Sequence, residues 1–235
     1  MHNALLPSRV CSALVGFLLL VGACPAGCQE KSVRPGINDQ YRKADLAREL
    51  KRLETEGREA FQFRREIVAA CGLRPGLTVA DVGSGTGLFT RLIAPAVAPG
   101  GKVYAVDISR KLVDHVLDTC REQKIAGVQG VVCTDTSTTL PAGSIDLAFV
   151  CDTYHHFEFP AKTLESIRQA LHRGGRMIVV DYKKEPGVTA DWIKKHVRAD
   201  QKTVTEEITR AGFRFCKQAD LPLKQQYFLV FERAD

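Results

Sequence analysis

Short β-branched runs alternate with segments of helical spacing through the middle of the chain. The runs lie at residues 78–82, 103–106, 128–133, 145–150 and 177–180. Apolar stripes of helical period follow the first, second and fourth runs and begin at Leu88, Leu112 and Leu164. Because strands that alternate with helices in this way pair in parallel, the pattern predicts an α/β fold with a doubly wound sheet.

The C-terminal part follows a different pattern. Thr203 and Glu206 have the spacing of a capping box, which predicts a helix that starts there and stops at Gly212. Two strand-like runs follow, at 213–217 and 227–231. The join between them is shorter than the roughly twelve residues that a parallel crossover needs, so this pair is predicted to be antiparallel. The whole sheet would then have seven mostly parallel strands.

The first 28 residues are predicted to be a separate leader. Residues 10–23 carry no charge and follow Arg9. This run is short for a membrane span of roughly twenty residues and fits the core of a signal peptide. Small residues before Cys24 resemble a bacterial lipobox, in which the cysteine is lipidated, and the setting of Cys28 fits less well. A short uncleaved anchor or a misassigned start codon are the alternatives.

Residues 29–40 are polar and contain Pro35 and Gly36, which predicts a tether to a domain that spans 41–235. Residues 41–71 have the spacing of apolar residues that is typical of helices. Their charged side chains would form a solvated face, although Glu54 and Arg58 could reach a site. The leader predicts a membrane-associated or exported protein, and without it the protein would be cytoplasmic.

The amino-acid composition limits the classes of protein to which the chain can belong. The chain of 235 residues is 45% hydrophobic and 26% charged, which is normal for a globular domain and excludes a wholly disordered protein. The net charge of +6 is spread along the chain, so nucleic-acid binding is not predicted. Five cysteines lie after the leader with no C-x-x-C pair and no Cys/His cluster at zinc spacing, so no metal site is predicted.

A glycine-rich loop follows the first β-branched run. The motif consists of Asp81, Gly83, Gly85 and Gly87. With Gly83 counted as the first place, the sixth place is Leu88, where a dinucleotide fingerprint has a glycine. No Gly-Lys-Ser/Thr follows, which excludes a P-loop. Such glycines allow a sharp turn and a close approach of the backbone to a ligand. The helix after them offers free N–H groups to polar atoms.

A second acidic residue, Asp107, closes the next β-branched run. A carboxylate at that place accepts hydrogen bonds from both ribose hydroxyls of an adenosine, although a helix-start acid is the alternative. The loop, Asp107 and the stretch Cys-Thr-Asp-Thr at 133–136 together resemble class I S-adenosylmethionine-dependent methyltransferases over residues 54–233. The nearest branch is the small-molecule group that resembles ubiquinone/menaquinone C-methyltransferases, whose sheet is Rossmann-like.

The resemblance implies S-adenosylmethionine as the cofactor and assigns roles by position. Asp81 and the three glycines would hold the methionine end, and Asp107 the ribose. Ile108 would pack on the adenine, and Asp135 with Thr136 would meet the adenine edge, with a turn residue as the alternative for Asp135. The chain lacks the Asn/Asp-Pro-Pro-aromatic tetrad of amino-directed DNA and protein-glutamine methyltransferases. We therefore expect a small-molecule acceptor.

The end of the fourth run supplies the candidate catalytic residues Asp152, Tyr154, His155 and His156. Ligands of open parallel sheets gather at the C-terminal strand ends, which places these side chains beside the reactive methyl group. A histidine suits a base that titrates near neutral pH. Adjacent histidines cannot both face the methyl group, so we predict that His155 acts in catalysis and that His156 is structural.

Residues 182–202 are predicted to cover the substrate side and exclude water. His196 and Arg198 in this segment would bind an anionic group of the substrate, or they lie on a solvated helix face. The predicted function is methyl transfer to an unidentified small molecule. The alternatives are a non-catalytic S-adenosylmethionine-binding protein tethered to a membrane and an oxidoreductase, which the glycine spacing disfavours. The oligomeric state stays open.

Overall fold

The computed structural model describes Met1 and residues 31–235, except residues 186 and 188. The predicted leader, with Cys24 and Cys28, therefore lies outside the described residues and stays a prediction. In the described part of the chain, no helix combines the length and the apolar character that a membrane crossing requires.

Seven strands of the described residues form one sheet in the order β3-β2-β1-β4-β5-β7-β6. The strands are β1 (Thr78–Val82), β2 (Lys102–Asp107), β3 (Val128–Val132), β4 (Ile145–Cys151), β5 (Leu171–Tyr182), β6 (Phe213–Gln218) and β7 (Gln226–Arg233). Strands β1 to β5 pair in parallel, and β7 runs antiparallel to both β5 and β6. The predicted α/β sheet with an antiparallel C-terminal strand is confirmed.

Helices cover both faces of this sheet. They are α1 (Asp39–Arg42), α2 (Leu46–Leu53), α3 (Glu59–Gln62), α4 (Arg64–Ala70), α5 (Leu88–Val97), α6 (Arg110–Glu122), α7 (Pro160–Ala170), α8 (Asp191–His196) and α9 (Gln201–Arg210). Side chains alternate across β1, so Val79 packs in the core cluster of α4 and α5, whereas Ala80 packs in the cluster of α7 and α9. Two apolar layers thus enclose the sheet.

The last helix begins earlier than its sequence pattern predicts. Asp200 is the N-cap of α9, and its carboxylate accepts a hydrogen bond from the backbone N–H of Thr203 at 2.8 Å. Thr203 therefore lies inside the first turn, and the prediction that it caps the helix was wrong. Aspartate is a strong N-cap residue because its side chain reaches a free N–H of the first turn. The predicted stop at Gly212 fits the last helical residue, Arg210.

The segment before the sheet differs from its prediction in two ways. Residues 41–71 form short helices, of which α2 ends before Glu54, and not one continuous helix. Residues 32–38 of the predicted tether pack against the body of the domain. Arg34 donates to the carbonyl oxygen of Lys195 at 3.2 Å, and the Asn38 amide donates to the carbonyl oxygen of His156 at 3.1 Å. Asn38 is buried. The described part of this segment is therefore a wall of the domain.

Candidate active site

A cavity opens at the C-terminal edge of β1, β2 and β4, where the order of strands reverses. Its atom-free space, the mouth included, is about 1050 Å³. Its walls include the glycine-rich loop, both carboxylates of the sequence motif and side chains of α1 and α2. This edge is where open α/β sheets bind ligands, so the fold places the motif in a ligand-sized space.

Packing around the loop explains two of its glycines. Gly83 has a φ of +76°, and a Cβ there would lie 2.3 Å from the Thr153 side chain at the end of β4. Gly87 has a φ of +79°, and its Cβ would lie 2.7 Å from Val116 on α6. An L side chain is strained at such φ values and would also overlap these neighbours. The glycines thus let the loop pass close to its own protein, as well as to a ligand.

Asp107 fixes the loop to the end of β2. One carboxylate oxygen accepts the Gly85 N–H at 2.9 Å, and the other accepts the Ser109 N–H at 2.9 Å. Burial raises the pKa of Asp107, while these backbone hydrogen bonds act in the opposite direction. Each oxygen keeps further acceptor capacity, and the residue lines the cavity. Asp107 can therefore accept hydrogen bonds from a diol, as predicted for ribose.

Asp81 lies deeper in the same wall and is 3% exposed. The Thr90 hydroxyl donates to its carboxylate at 2.6 Å. The pKa of Asp81 is raised to about 6, mainly by burial; the Thr90 hydrogen bond acts against this rise, and the nearby Asp107 charge adds to it. A cationic ligand group would stabilise the charged form of this carboxylate. The ammonium group of a methionine moiety has that charge.

The predicted adenine contacts are brought together in part. Ile108 and Asp135 line the cavity, and Asp135 forms an ion pair with Arg42 at 2.5 Å. Thr136 does not line it, whereas Thr134 does. The backbone N–H of Thr136 instead donates to the Thr134 hydroxyl at 3.3 Å within the turn.

The other end of the cavity is lined by Asp152, which has a φ of +49°. Arg58 pairs with its carboxylate at 2.6 Å, and the Gln226 side-chain amide donates to the other oxygen. Burial raises the pKa of Asp152, although the Arg58 charge lowers it. Arg58, one of two charged residues that the sequence allowed at a site, therefore reaches it. The second, Glu54, pairs with Arg91 at 2.8 Å and is absent from the cavity wall.

The two adjacent histidines have the opposite placement to the one predicted. His156 lines the cavity, and its Nδ1 is buried without a hydrogen-bond partner among the described residues. His155 is 4% exposed, and its Nδ1 lies 2.8 Å from a carboxylate oxygen of Asp181. The backbone of the 3-10 turn Tyr154–His156 rotates His155 toward β5 and His156 toward the ligand space. The choice of His155 as the nearer residue was therefore wrong, and a catalytic role of either stays a prediction.

Tyr154 and Arg198 face away from the cavity. Tyr154 is fully buried in the core, and its hydroxyl donates to Glu207 at 2.8 Å. Arg198 donates to both carboxylate oxygens of Glu207, at 2.8 and 2.6 Å, and lies over the Tyr154 ring. Neither residue lines the cavity. The predictions that Tyr154 lies beside the methyl group and that Arg198 binds substrate do not fit this arrangement, because both side chains form hydrogen bonds with Glu207 outside the cavity.

His196 ends α8 and lies behind His156 rather than on the cavity wall, with 5.1 Å between the two ring centroids. Burial, together with the nearby His155, lowers the pKa of His196 to about 4. Burial and the two neighbouring imidazoles also lower the pKa of His156. These two histidines are therefore neutral at pH 7. A neutral His196 does not supply the positive charge predicted for binding an anionic group.

Residues of α1 and α2 complete the cavity, and sequence reasoning missed them. Tyr41, Glu49 and Arg52 line it, and Glu49 is buried where it accepts two hydrogen bonds from Arg52, at 3.0 and 2.7 Å. The Tyr41 ring meets the His156 ring edge-on, with 5.0 Å between centroids. In the sequence, Glu49 and Arg52 are only charged residues between the apolar positions of a helix. A helix with one face in solvent has the same pattern, so the pattern did not indicate a site.

Comparisons with known proteins agree with this geometry. Residues 80–179 match a family described as a methyltransferase domain. The ubiquinone/menaquinone biosynthesis C-methyltransferase of Hydrogenovibrio crunogenus is 28% identical over 123 residues, which are 52% of this chain and 48% of the relative. The chain thus matches about half the length of that relative.

Solved structures show the same fold. An S-adenosylmethionine-dependent methyltransferase from Aquifex aeolicus has a TM-score of 0.71 at 21% identity and covers 80% of this chain and 98% of its own. The cyclase SpnF has a TM-score of 0.64 at 16% identity, with 75% and 82% covered. The match of residues 80–179, the shared fold and the glycine-rich loop together indicate a domain similar to class I S-adenosylmethionine-dependent methyltransferases, whose cofactor is S-adenosylmethionine.

Proposed function

We propose that this protein transfers the methyl group of S-adenosylmethionine to a small-molecule acceptor. One observation carries the proposal: a single cavity joins the Asp107 and glycine-loop wall to the wall formed by Asp152 and His156. The first wall, called the cofactor wall below, suits a nucleoside with a charged amino-acid tail. The second, called the acceptor wall, offers polar groups to an acceptor. A fold shared with a cyclase does not by itself establish methyl transfer, so the site carries the argument.

Methyl transfer is an in-line displacement in which the acceptor atom attacks the carbon of the sulfonium methyl. Alignment of the two reactants supplies much of the rate of such a reaction. S-adenosylmethionine supplies the activated methyl group when it is bound. Asp81 would hold the ammonium group of the cofactor and Asp107 its ribose, and α1 and α2, which line the cavity, would exclude water.

His156 has the role of positioning the acceptor in this proposal. Its lowered pKa makes it a weak base, so its unpartnered Nδ1 accepts a hydrogen bond rather than a full proton near neutral pH. A hydroxyl, thiol or amine of the acceptor would supply that hydrogen. The Arg58–Asp152 pair would fix the adjacent wall, since both side chains are buried and each satisfies the other's charge.

The test uses untagged full-length protein, S-adenosylmethionine labelled in the methyl group, and cell extract separated by size. We expect S-adenosylhomocysteine to form and the label to enter the low-molecular-weight fraction. Cofactor binding without turnover in any fraction would instead support a non-catalytic binding protein. Label in the protein or nucleic-acid fraction would contradict a small-molecule acceptor.

We further propose that the leader directs the protein to a membrane, with Cys24 as the lipidated residue. Support comes from the sequence alone: the uncharged run 10–23 ends on small residues before this cysteine. In a bacterium fed a labelled fatty acid, Cys24→Ser should abolish the label, and Cys28→Ser should retain it. Equal labelling of both variants would contradict the assignment.

A further inference from the structure

Three of the six histidines of the chain lie together behind the cavity wall that contains Asp152 and His156. Two of them are adjacent in the sequence, and the third comes much later in the chain. His155 and His156 lie on the 3-10 turn after β4, and His196 ends α8. One ring nitrogen of each lies within 4.8 Å of the others. The ring centroids are 4.3, 4.9 and 5.1 Å apart.

We propose that these three imidazoles bind a divalent transition metal of the Zn²⁺ type. Imidazole nitrogen is a preferred ligand of Zn²⁺, and metal–nitrogen distances of about 2.0–2.1 Å place the donor atoms of a tetrahedral site roughly 3.3 Å apart. The three nitrogens would each need to move by roughly 1 Å or less to reach that spacing, which side-chain rotation can supply.

A carboxylate already orients one of the three ligands. Asp181 is buried at the end of β5, and its side chain lies 2.8 Å from Nδ1 of His155 and accepts the backbone N–H of the same residue at 3.1 Å. This contact leaves Nε2 of His155 as the donor atom for a metal. A carboxylate behind a metal-bound histidine fixes its ring and strengthens it as a ligand.

A second observation, independent of the clustering, points to a ligand. Nδ1 of His156 is buried and has no hydrogen-bond partner among the described residues. Burying a polar atom without a partner costs free energy, so native proteins usually satisfy such atoms. A metal ion shared with its two neighbours would satisfy it, and with the metal bound the acceptor would be held by the metal instead of by this nitrogen. Structural packing alone gives no reason for three imidazoles to face one another.

The surroundings hold the third ligand in place. Arg34 donates to the carbonyl oxygens of Lys195 and His196 and so fastens the end of α8 to the segment before α1. The Trp192 ring lies 6.4 Å from the His196 ring and 5.6 Å from the Tyr182 ring, between centroid positions. These contacts hold the His196 ring on one side, although Trp192 itself is exposed.

Three protein ligands leave one position of a tetrahedral site open, which is the arrangement of catalytic rather than structural zinc sites. Because His156 also lines the cavity, the open position would face the acceptor. A metal there would bind the acceptor's oxygen or sulfur and lower its pKa. This last role rests on the proposed methyl transfer, whereas metal binding itself does not.

Titration calorimetry with Zn²⁺ on chelator-treated, untagged full-length protein tests the site. We expect one equivalent to bind, His196→Ala to weaken binding at least about a hundredfold, and Asp181→Asn to weaken it roughly tenfold or more. His172→Ala is the matched control, since His172 is exposed and outside the cluster, and it should bind like the wild type. Co²⁺ should give a visible absorption band in the wild type that His196→Ala lacks.

Absence of binding at micromolar Zn²⁺, or equal affinity in His196→Ala and His172→Ala, would overturn the site. His196 is only partly buried at the end of a short helix, so its variant is expected to fold, and circular dichroism checks this. Binding of S-adenosylmethionine measured on the same samples separates the two proposals. Cofactor binding without Zn²⁺ binding would remove the metal site alone, and Zn²⁺ binding without cofactor binding would remove the methyl transfer alone.

Discussion

The two walls of the cavity are built in different ways. The cofactor wall consists mainly of backbone and two carboxylates at the ends of β1 and β2, and Asp107 accepts N–H groups from residues 85 and 109. The acceptor wall joins side chains from distant parts of the chain, because Asp152 meets Arg58 and Gln226. A wall made of local backbone leaves a motif in the sequence, and a wall made of long-range side-chain contacts does not.

The largest expected effect is on the acceptor wall. Arg58→Met leaves Asp152 buried without its ion-pair partner, and breaking a buried pair costs about 3–5 kcal/mol of unfolding free energy. Arg42→Met is the matched control, because Arg42 pairs with Asp135, which lines the cavity, and these side chains are 42% and 27% exposed. It should cost less than about 1 kcal/mol. Urea unfolding measures both, and equal losses would contradict the contrast between the walls.

The next effect separates the adjacent histidines. His156→Ala should lower turnover by roughly a hundredfold through misplacement of the acceptor, while the Kd for S-adenosylmethionine stays within about twofold. His156→Gln keeps an acceptor atom and should restore part of the rate. The rate should not follow a titration near pH 6.5, because burial lowers the pKa of His156. Full activity in His156→Ala, or no rescue by Gln, would remove the positioning role.

His155→Ala is the matched comparison, since it leaves the buried Asp181 carboxylate without its imidazole partner. The carboxylate then keeps only the backbone N–H groups of residues 155 and 182. A lost hydrogen bond to a charged group costs about 1.5–3 kcal/mol, so this variant should unfold at lower urea concentration than His156→Ala. If His155→Ala instead folded normally and lost activity alone, the sequence-based choice of His155 would be reinstated.

A smaller effect concerns a buried charge on the cofactor wall. Asp81 has its pKa raised from 3.8 to about 6, so the folded state retains a proton that the unfolded state loses. Stability should therefore fall as pH rises from about 4 to 6, and the cost is fully present above pH 6. Asp81→Asn should remove this slope and raise the unfolding free energy at pH 7 by on the order of 2 kcal/mol.

Thermal unfolding of Asp81→Asn and wild type between pH 4 and 7 measures this difference. If Asp81 binds the cofactor's ammonium group as proposed, the same variant should bind S-adenosylmethionine more weakly, because it loses that negative charge. A wild-type stability that rises between pH 4 and 6 relative to that of Asp81→Asn would have the opposite sign and contradict the raised pKa of Asp81.

The strands and their parallel or antiparallel pairing could be predicted, because they depend on the spacing of apolar residues along short stretches of the chain. All seven β-branched or strand-like runs became strands, and the short join before β7 correctly gave an antiparallel pair. The start of α9 was missed because Asp200 and Thr203 are both good capping residues, and only the backbone shows which one caps. The breaks between α1, α2, α3 and α4 were missed because short helices share one apolar stripe.

The site could be predicted only where the backbone dictates it. Asp81, Asp107, Gly83 and Gly85 lie where the motif indicated, on one cavity wall, whereas Gly87 packs against α6 and does not line the cavity. The orientation of His155 and His156 depends on the φ and ψ angles of a 3-10 turn. The sequence of two adjacent histidines does not indicate these angles. Arg198 was misplaced because its partner Glu207 lies on α9 and removes it from the ligand space. No spacing rule joins His196 to the other two histidines.

The most direct test of the cofactor wall is the affinity of wild type, Asp107→Asn and Asp114→Asn for S-adenosylmethionine, measured by titration calorimetry. Asp114 is an exposed residue of α6, paired with Arg110 at 3.7 Å, and serves as the matched control. Hydrogen bonds to a charged group contribute about 1.5–3 kcal/mol each, so Asp107→Asn should weaken binding at least about tenfold. Asp114→Asn should bind as the wild type does. Equal affinity of all three proteins, or no binding by the wild type, would contradict the assignment of this cavity to S-adenosylmethionine.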